Sequence, residues 1–129
     1  MVGNPPRIIV TGSRIWTKED IVAYTLEAVR KHFGDDTVLV HGDCPKGLDA
    51  IASRLWAGWS LMCEPHPARW DKYGKYAGPK RNKEMAAAGA DLCLAYPIGE
   101  SRGTRHCMQM CREYGIKTIE IYPTMKFKW

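Results

Sequence analysis

The segment Arg7-Ile-Ile-Val-Thr-Gly-Ser-Arg14 decides the fold. Its run of β-branched apolar residues, Ile8-Ile-Val10, is typical of a strand that is buried on both faces of a parallel sheet. Gly12 allows the chain to turn sharply after this strand, and Ser13 and Arg14 follow at the turn. In open α/β sheets, ligands bind beyond the carboxyl ends of the strands. The segment is therefore either an ordinary strand–turn–helix connection or the phosphate-binding end of a buried strand.

The rest of the chain alternates strand-like and helix-like segments. Four further strand-like segments occur at residues 37–40, 61–64, 92–95 and 118–122. The apolar stripes expected to face the core are Val22, Leu26, Val29 and Phe33, then Leu48, Ile51, Leu55 and Trp59, and finally Cys107, Cys111 and Tyr114. About five alternations with short connections predict an α/β fold, a doubly wound, mostly parallel sheet between two layers of helices.

We expect one domain over residues 1–129, with a core at about 7–123 and a C-terminal tail at 124–129. The tail is either frayed or it docks Phe127 and Trp129 on a partner subunit. No segment reaches the roughly 18 apolar residues that span a bilayer, and the first residues do not resemble a secretory signal. We therefore expect a soluble, cytoplasmic protein with no membrane partner.

Charge and cysteine content narrow the functional classes. The net charge of +5 suits anionic partners, either nucleotide phosphates or nucleic acid, but also an ordinary solvated surface. Five cysteines without any Cys-x-x-Cys spacing indicate reduced thiols. Cys107 and Cys111 lie four residues apart with His106 nearby, but buried thiols that act as small hydrophobic groups more often explain such a pattern. We predict no metal site and no cofactor.

Three loops with related chemistry each lead from a strand into a helix. They contain Gly12, Ser13 and Arg14; Gly42, Asp43, Gly47 and Asp49; and Ser101, Arg102, Gly103 and Thr104. Glycine permits close backbone approach, hydroxyls donate to phosphate oxygens, and arginine offers two parallel donors. The Walker pattern and a complete Gly-x-Gly-x-x-Gly do not occur, which argues against an ordinary ATPase or dinucleotide dehydrogenase. The three loops together predict a site for a nucleotide-like anion.

Two features of this region have alternative interpretations. Asp49 lies in the first turn of a predicted helix, where it interacts with the helix dipole, accepts hydrogen bonds from a ribose or fixes its loop. Residues 65–79 have no clean periodicity, and loops of this length are often functional. In that segment Trp70 and Tyr76 either stack on a base or merely cover the core.

A longer, ordered set of motifs resembles a known family. The motifs are Val10-Thr-Gly-Ser-Arg14, His41-Gly42, Cys44-Pro-x-Gly-x-Asp49, Pro67-Ala-x-Trp70, Tyr73-Gly-Lys75, Ala77-Gly-Pro-x-Arg-Asn82 and Gly103-Thr104. Over approximately residues 7–123 they resemble the YspA/YpsA-type branch of the SLOG superfamily. The resemblance implies a Rossmann-like fold that binds nucleotides or nucleotide-derived signals, often as a dimer or larger assembly.

The LOG (lonely guy) relatives in this superfamily cleave the N-glycosidic bond of nucleoside monophosphates. Their Arg-Lys-x-x-Met helix resembles Arg81-Asn-Lys-Glu-Met85, which makes Arg81 the catalytic candidate if this chain is an enzyme. Their pattern also has a glutamate after Gly-Thr, where this chain has Arg105-His-Cys107. Cleavage needs a group that stabilises an oxocarbenium-like sugar or activates water. His106 is a candidate to activate water, although an imidazole supplies no negative charge, and Glu100 and Asp43 are the candidates to replace the missing acid.

The leading prediction is binding, for sensing or sequestration, of a small phosphorylated nucleoside derivative by a homodimer or higher homo-oligomer. The residues assigned to phosphate are Ser13, Arg14, Gly103, Thr104 and Arg81, with Asn82 beside them, while Trp70 or Tyr76 stacks on the base and Asp49 meets the ribose. One alternative is an N-glycosidic hydrolase acting on nucleoside monophosphates. Another is single-stranded nucleic-acid binding, suggested by kinship with Smf/DprA and by the basic segment at residues 72–83.

Overall fold

Five strands and five α-helices alternate along residues 3–127, the part of the chain that the computed structural model describes. The strands are β1 (Arg7–Gly12), β2 (Val38–His41), β3 (Cys63–Pro65), β4 (Leu92–Tyr96) and β5 (Thr118–Glu120). The helices are α1 (Glu19–Phe33), α2 (Leu48–Gly58), α3 (Trp70–Tyr73), α4 (Ala77–Ala87) and α5 (Arg102–Glu113). A 3-10 turn at Gly74–Tyr76 joins α3 to α4, so the segment without clean periodicity does contain helical structure.

All five strands run parallel in one sheet, in the order β3-β2-β1-β4-β5. Ile9 of β1 is paired with Val40 of β2 on one side and with Cys93 of β4 on the other. The strand order therefore reverses at β1, and the crevice between the ends of β1 and β4 is the place where ligands bind in folds of this kind. The predicted α/β Rossmann-like fold is confirmed.

Alternate residues of the central strands face different helical layers, because successive side chains of a strand point to opposite sides. Ile8 belongs to the core that contains Trp56 of α2. Ile9 belongs to the core that contains Met85 of α4 and Cys107 of α5. The sheet thus lies between α1 and α2 on one face and α4 and α5 on the other, as the sequence predicts.

One expected core position, Tyr114, is wrong, and one core residue of α2 was not expected. Ile51, Leu55 and Trp59 of the predicted stripe are partly buried against the core. Trp56, outside that stripe, is fully buried with Leu48 and Ala52, because α2 faces the sheet with residues spaced by four. Tyr114 is 46% exposed, since α5 ends at Glu113 and Tyr114 caps the helix instead of continuing its buried stripe. The rest of that stripe, Cys107 and Cys111, is buried as expected.

The segment after β5 folds back on α1. Phe127 stacks on Tyr24 with ring centroids 4.6 Å apart, and it is partly buried against the core. Phe127 therefore packs on its own chain, while Trp129, which the sequence assigned to the same tail, lies outside the described residues. None of the helices within residues 3–127 combines the length and the apolar character that crossing a bilayer requires.

Gly12 is a position where the fold tolerates no side chain. A Cβ atom there would lie 2.4 Å from Leu48 Cγ and 2.5 Å from Leu48 Cβ. Gly12→Ala should lower the free energy of unfolding by about 1–3 kcal/mol, because overpacking displaces the start of α2. The matched control is Gly58→Ala at the end of α2, where a Cβ meets nothing within 4 Å and stability should be kept or raised. Urea denaturation measures the stability of both variants. Equal denaturation midpoints for Gly12→Ala and Gly58→Ala would contradict this account.

An ion pair joins the first strand to the third. Arg7 binds both carboxylate oxygens of Glu64, with Nη2 donating to Oε2 at 2.8 Å and Nη1 to Oε1. His66 Nε2 lies 2.6 Å from the same Oε2. The Arg7 hydrogen bonds, more than the contact with His66, lower the pKa of Glu64 from 4.5 to about 2. The folded state therefore favours the carboxylate form of Glu64.

Glu64→Gln should reduce stability at neutral pH and weaken its acid dependence. With the pKa lowered on folding, the carboxylate contributes fully above pH 4.5, and its contribution disappears as the pH falls toward about 2. We expect a loss of about 1 kcal/mol at neutral pH, since partial exposure screens the pair. Urea denaturation at neutral pH and at about pH 3 measures the stability of the variant and of the parent protein. If the difference in stability between them is the same at both pH values, the role given to the Arg7–Glu64 pair is refuted.

Candidate functional site

A cleft of about 270 Å³ opens at the carboxyl edge of the sheet. Its walls are the end of β1 and the turn after it, the loop after β2 with the first turn of α2, the middle and second half of α4, and the first turn of α5. The lining residues are Val10, Thr11, Gly12, Ser13, Arg14, Gly42, Cys44, Asp49, Arg81, Asn82, Met85, Ser101, Arg102, Gly103 and Thr104. The cleft therefore lies at the point where the strand order reverses.

The cleft brings together most residues that the sequence assigned to a site. From all three predicted loops and α4 it collects Gly12, Ser13, Arg14, Gly42, Asp49, Arg81, Asn82, Ser101, Gly103 and Thr104. Four assigned residues do not line it, namely Asp43, Gly47, Trp70 and Tyr76. The sequence analysis assigned no ligand contact to five lining residues, namely Val10, Thr11, Cys44, Met85 and Arg102. Cys44 and Arg102 lie within the predicted loops and could have been assigned, whereas the others depend on side-chain direction.

The turn after β1 rests on the start of α2. Ser13 N donates to Tyr96 O at 3.0 Å, and Ser13 O accepts from Leu48 N at 3.1 Å. Gly47 has a left-handed φ of 75°, and a Cβ atom there would lie 2.4 Å from Arg14 Cα. Gly47 therefore supports the cleft from behind, by letting two backbones approach, instead of lining it.

Asp49 holds the loop after β2 in place. Its Oδ2 accepts hydrogen bonds from Gly42 N at 3.1 Å and from Cys44 N at 3.3 Å. The residue is 6% exposed, and burial raises the pKa of its carboxyl although the bond from Cys44 N opposes that shift. Of the interpretations open from the sequence, bracing of the loop is the one for which contacts are seen.

Arg81 joins the ends of two strands. Its Nη1 donates to the carbonyl of Gly42 at 2.6 Å, after β2, and to that of His66 at 3.2 Å, after β3. A Cβ atom on Gly42 would lie 2.4 Å from this Nη1, so glycine at position 42 makes room for the guanidinium. None of the ion pairs within residues 3–127 involves Arg81. The carboxyl group whose pKa its charge lowers is that of Asp49, which also lies beside Gly42.

Asn82 extends this network to the opposite wall. Its Oδ1 accepts from Arg81 Nε at 2.9 Å, and its Nδ2 donates to Gly103 O at 3.3 Å and contacts His106 Nδ1 at 3.2 Å. Asn82 is buried. The pair Arg81–Asn82 thus ties the ends of β2 and β3 to the first turn of α5, while His106 stays behind the wall.

The loops beside the cleft contain strained backbone. Ser101, just before α5, has a left-handed φ of 43°, and its Oγ donates to Thr104 Oγ1 at 2.7 Å. Asp43, in the loop after β2, has a φ of 56°. Such conformations cost about 1–2 kcal/mol for residues other than glycine and concentrate at functional sites. The position of Asp43 and Ser101 beside the cleft agrees with that tendency.

The charges around the cleft favour an anion. Arg14, Arg81 and Arg102 contribute guanidinium groups, and Asp49 is the one carboxyl among the lining residues. Arg102 has a weak contact with Glu100 at 3.7 Å, with both side chains largely exposed. The N–H groups in the first turn of α5 also have no partner within their own helix, and helix N-termini attract negative charge. Neither Glu100 nor Asp43, the candidates for the missing acid, lines the cleft.

The two aromatic residues assigned to base stacking lie outside the cleft. Trp70 is half exposed, and its ring lies over Gly78, where an added Cβ atom would be 3.1 Å from Cη2. Tyr76 is 67% exposed, with Lys75 Nζ 5.4 Å from its ring centroid. Neither ring belongs to the walls of the cleft.

Comparison with known protein structures gives two similar domains. Both are crystal structures of the C-terminal domain of PF1911 hydrogenase from Pyrococcus furiosus. One, of residues 83–215, is 18% identical with a TM-score of 0.46 and covers 90% of this chain and 91% of its own. The other, of residues 78–226, is 14% identical with a TM-score of 0.44 and covers 93% of each chain.

Comparison at the level of sequence identifies the family. A model of the YspA, cpYpsA-related SLOG family matches residues 6–73, more than half of the chain. The Gene 61 protein of Mycobacterium phage D29 is 45% identical over 121 residues, which cover 88% of this chain and 94% of that protein. The matched residues include the turn after β1, the loop after β2 and α3. The chain therefore belongs to the YspA, cpYpsA-related SLOG family.

Proposed function

We propose that the cleft binds a nucleotide or a nucleotide-derived small molecule, and that the protein senses or sequesters this ligand. The observation that carries the proposal is the charge of the walls: three guanidinium groups and a helix N-terminus surround one buried carboxyl. Membership of the SLOG family supports a nucleotide-related ligand without naming it. Three parallel strands supply the loops, as in other folds that bind ligands at this edge.

The phosphate group of the ligand binds at the first turn of α5 in this proposal. Gly103 has nothing within 4 Å of the place where a Cβ would be, so its backbone is open to a ligand. Thr104 and Ser13 supply hydroxyls, and Arg14 supplies a guanidinium that none of the ion pairs within residues 3–127 involves. Charge-assisted bonds of this kind are the strongest hydrogen bonds available in such a site.

The proposal is for binding without bond cleavage, because the carboxyl group in the cleft is poorly suited to catalysis. Asp49 uses one oxygen for two backbone N–H groups, and its raised pKa makes it a poorer negative charge. Stabilising an oxocarbenium-like sugar needs a well-placed carboxylate. A homodimer or larger assembly, expected from the family resemblance, belongs to the same proposal and is measured by sedimentation.

Arg14→Gln should weaken binding of the phosphorylated ligand by about 10- to 100-fold, the loss expected for one charge-assisted hydrogen bond. Isothermal titration calorimetry against nucleoside mono- and diphosphates and cyclic nucleotides measures the affinities. The matched control is Arg112→Gln, which removes the same charge at the other end of α5 and should leave binding unchanged. No heat with any member of the panel would refute the proposal, and equal losses in both variants would refute the role of Arg14.

A further inference from the structure

We infer that the cleft recognises the phosphorylated pentose of its ligand and is indifferent to the base, an inference that rests on the function proposed above. The first observation is size. The cleft measures about 270 Å³, below the roughly 300–1,000 Å³ of pockets that enclose a whole small-molecule ligand. A phosphate and a furanose ring fill that space, and the base then lies at the mouth.

The second observation is the chemistry of the walls. The lining side chains are guanidinium, carboxyl, amide, hydroxyl, thiol and aliphatic groups, and none of the lining residues within 3–127 is aromatic. Bases are commonly held by stacking on aromatic rings, whereas phosphates and sugar hydroxyls are held by hydrogen bonds. Val10 and Met85 are the large aliphatic contributors. The walls therefore match the polar half of a nucleotide.

The third observation is that the walls are tied together and cannot easily move apart. Arg81 is bonded to the carbonyls of Gly42 and His66, and Asn82 is bonded to that of Gly103. The turn after β1 lies against Gly47, where a Cβ would be 2.4 Å from backbone. Widening the cleft enough to admit a base would break these contacts. A tightly packed interior resists such deformation.

The arrangement of the groups also suits a sugar phosphate. The hydroxyl and backbone donors of Thr104 and Gly103 come from α5, and the Asp49 carboxyl comes from α2. A carboxylate accepts hydrogen bonds from the hydroxyl groups of a sugar. The ionised oxygens of a phosphate have no hydrogen to donate to it. With phosphate at α5, the sugar hydroxyls lie toward α2. One wall therefore donates hydrogen bonds to the phosphate, and another accepts them from the sugar hydroxyls, so the cleft binds both ends of a phosphorylated pentose.

Calorimetric titration with four probes tests the inference: ribose 5-phosphate, adenosine 5′-monophosphate, uridine 5′-monophosphate and adenosine. We expect the three phosphorylated probes to bind with dissociation constants within about threefold of one another, and adenosine to bind at least tenfold more weakly. If either nucleotide binds more than tenfold more tightly than ribose 5-phosphate, base contacts contribute. The inference is then overturned while the proposed function stands. If none of the three phosphorylated probes binds, the inference is overturned, and titration with the nucleoside diphosphates and cyclic nucleotides decides the proposed function separately.

Trp70→Ala adds a test that does not depend on the cleft residues. Trp70 lies outside the cleft, against Gly78, so removing its ring should leave the ratio between the affinities for ribose 5-phosphate and adenosine 5′-monophosphate unchanged within twofold. A selective loss of the nucleotide by tenfold or more would show that Trp70 stacks on the base, and would overturn the inference. Equal melting temperatures of the variant and the parent protein serve as the folding control.

Discussion

The structure depends on the close approach of two backbones at the end of β1. Gly12 leaves no room for a side chain beside Leu48, and Gly47 leaves none beside the backbone of Arg14. The turn after β1 can therefore lie directly on the first turn of α2, held by the bond from Leu48 N to Ser13 O. This contact sets the position of Ser13 and Arg14 relative to the sheet edge. The other walls of the cleft are built around that fixed turn.

A second set of contacts adds hydrogen bonds to the apolar packing that holds the remaining walls. The guanidinium of Arg81 and the amide of Asn82, neighbours in sequence in the middle of α4, bind carbonyls that follow β2 and β3 and one in the first turn of α5. Resemblance to the LOG helix makes Arg81 a ligand-binding or catalytic candidate, and its hydrogen bonds to Gly42 and His66 give it a structural role as well. The same residue thus shapes the cleft and gives it positive charge.

Features that depend on local sequence pattern, such as the strands and the strand-end loops, could be predicted from the sequence. Side-chain positions that depend on residues distant in the sequence could not. The run Ile8-Ile-Val10 and the strand-end glycines were enough for a parallel sheet with loops at one edge, because burial on both faces and sharp turns leave clear local signals. The predicted stripe of α2 included Trp59 and left out the fully buried Trp56, since a small rotation of the helix decides which of the two is buried more deeply. The aromatic rings of Trp70 and Tyr76 were assigned by composition, and only packing against Gly78 shows where Trp70 lies.

The outer strands of the sheet have consequences for self-association. Both β3 and β5 are only three residues long, and β3 ends in Pro65, which has no N–H to donate. Short edges that end in proline offer few backbone groups for another chain to pair with, and proteins use such edges to avoid uncontrolled strand addition and amyloid-like growth. Copies of this chain that associate in an ordered way are therefore expected to meet through helices and side chains, with the sheet remaining closed to further strands.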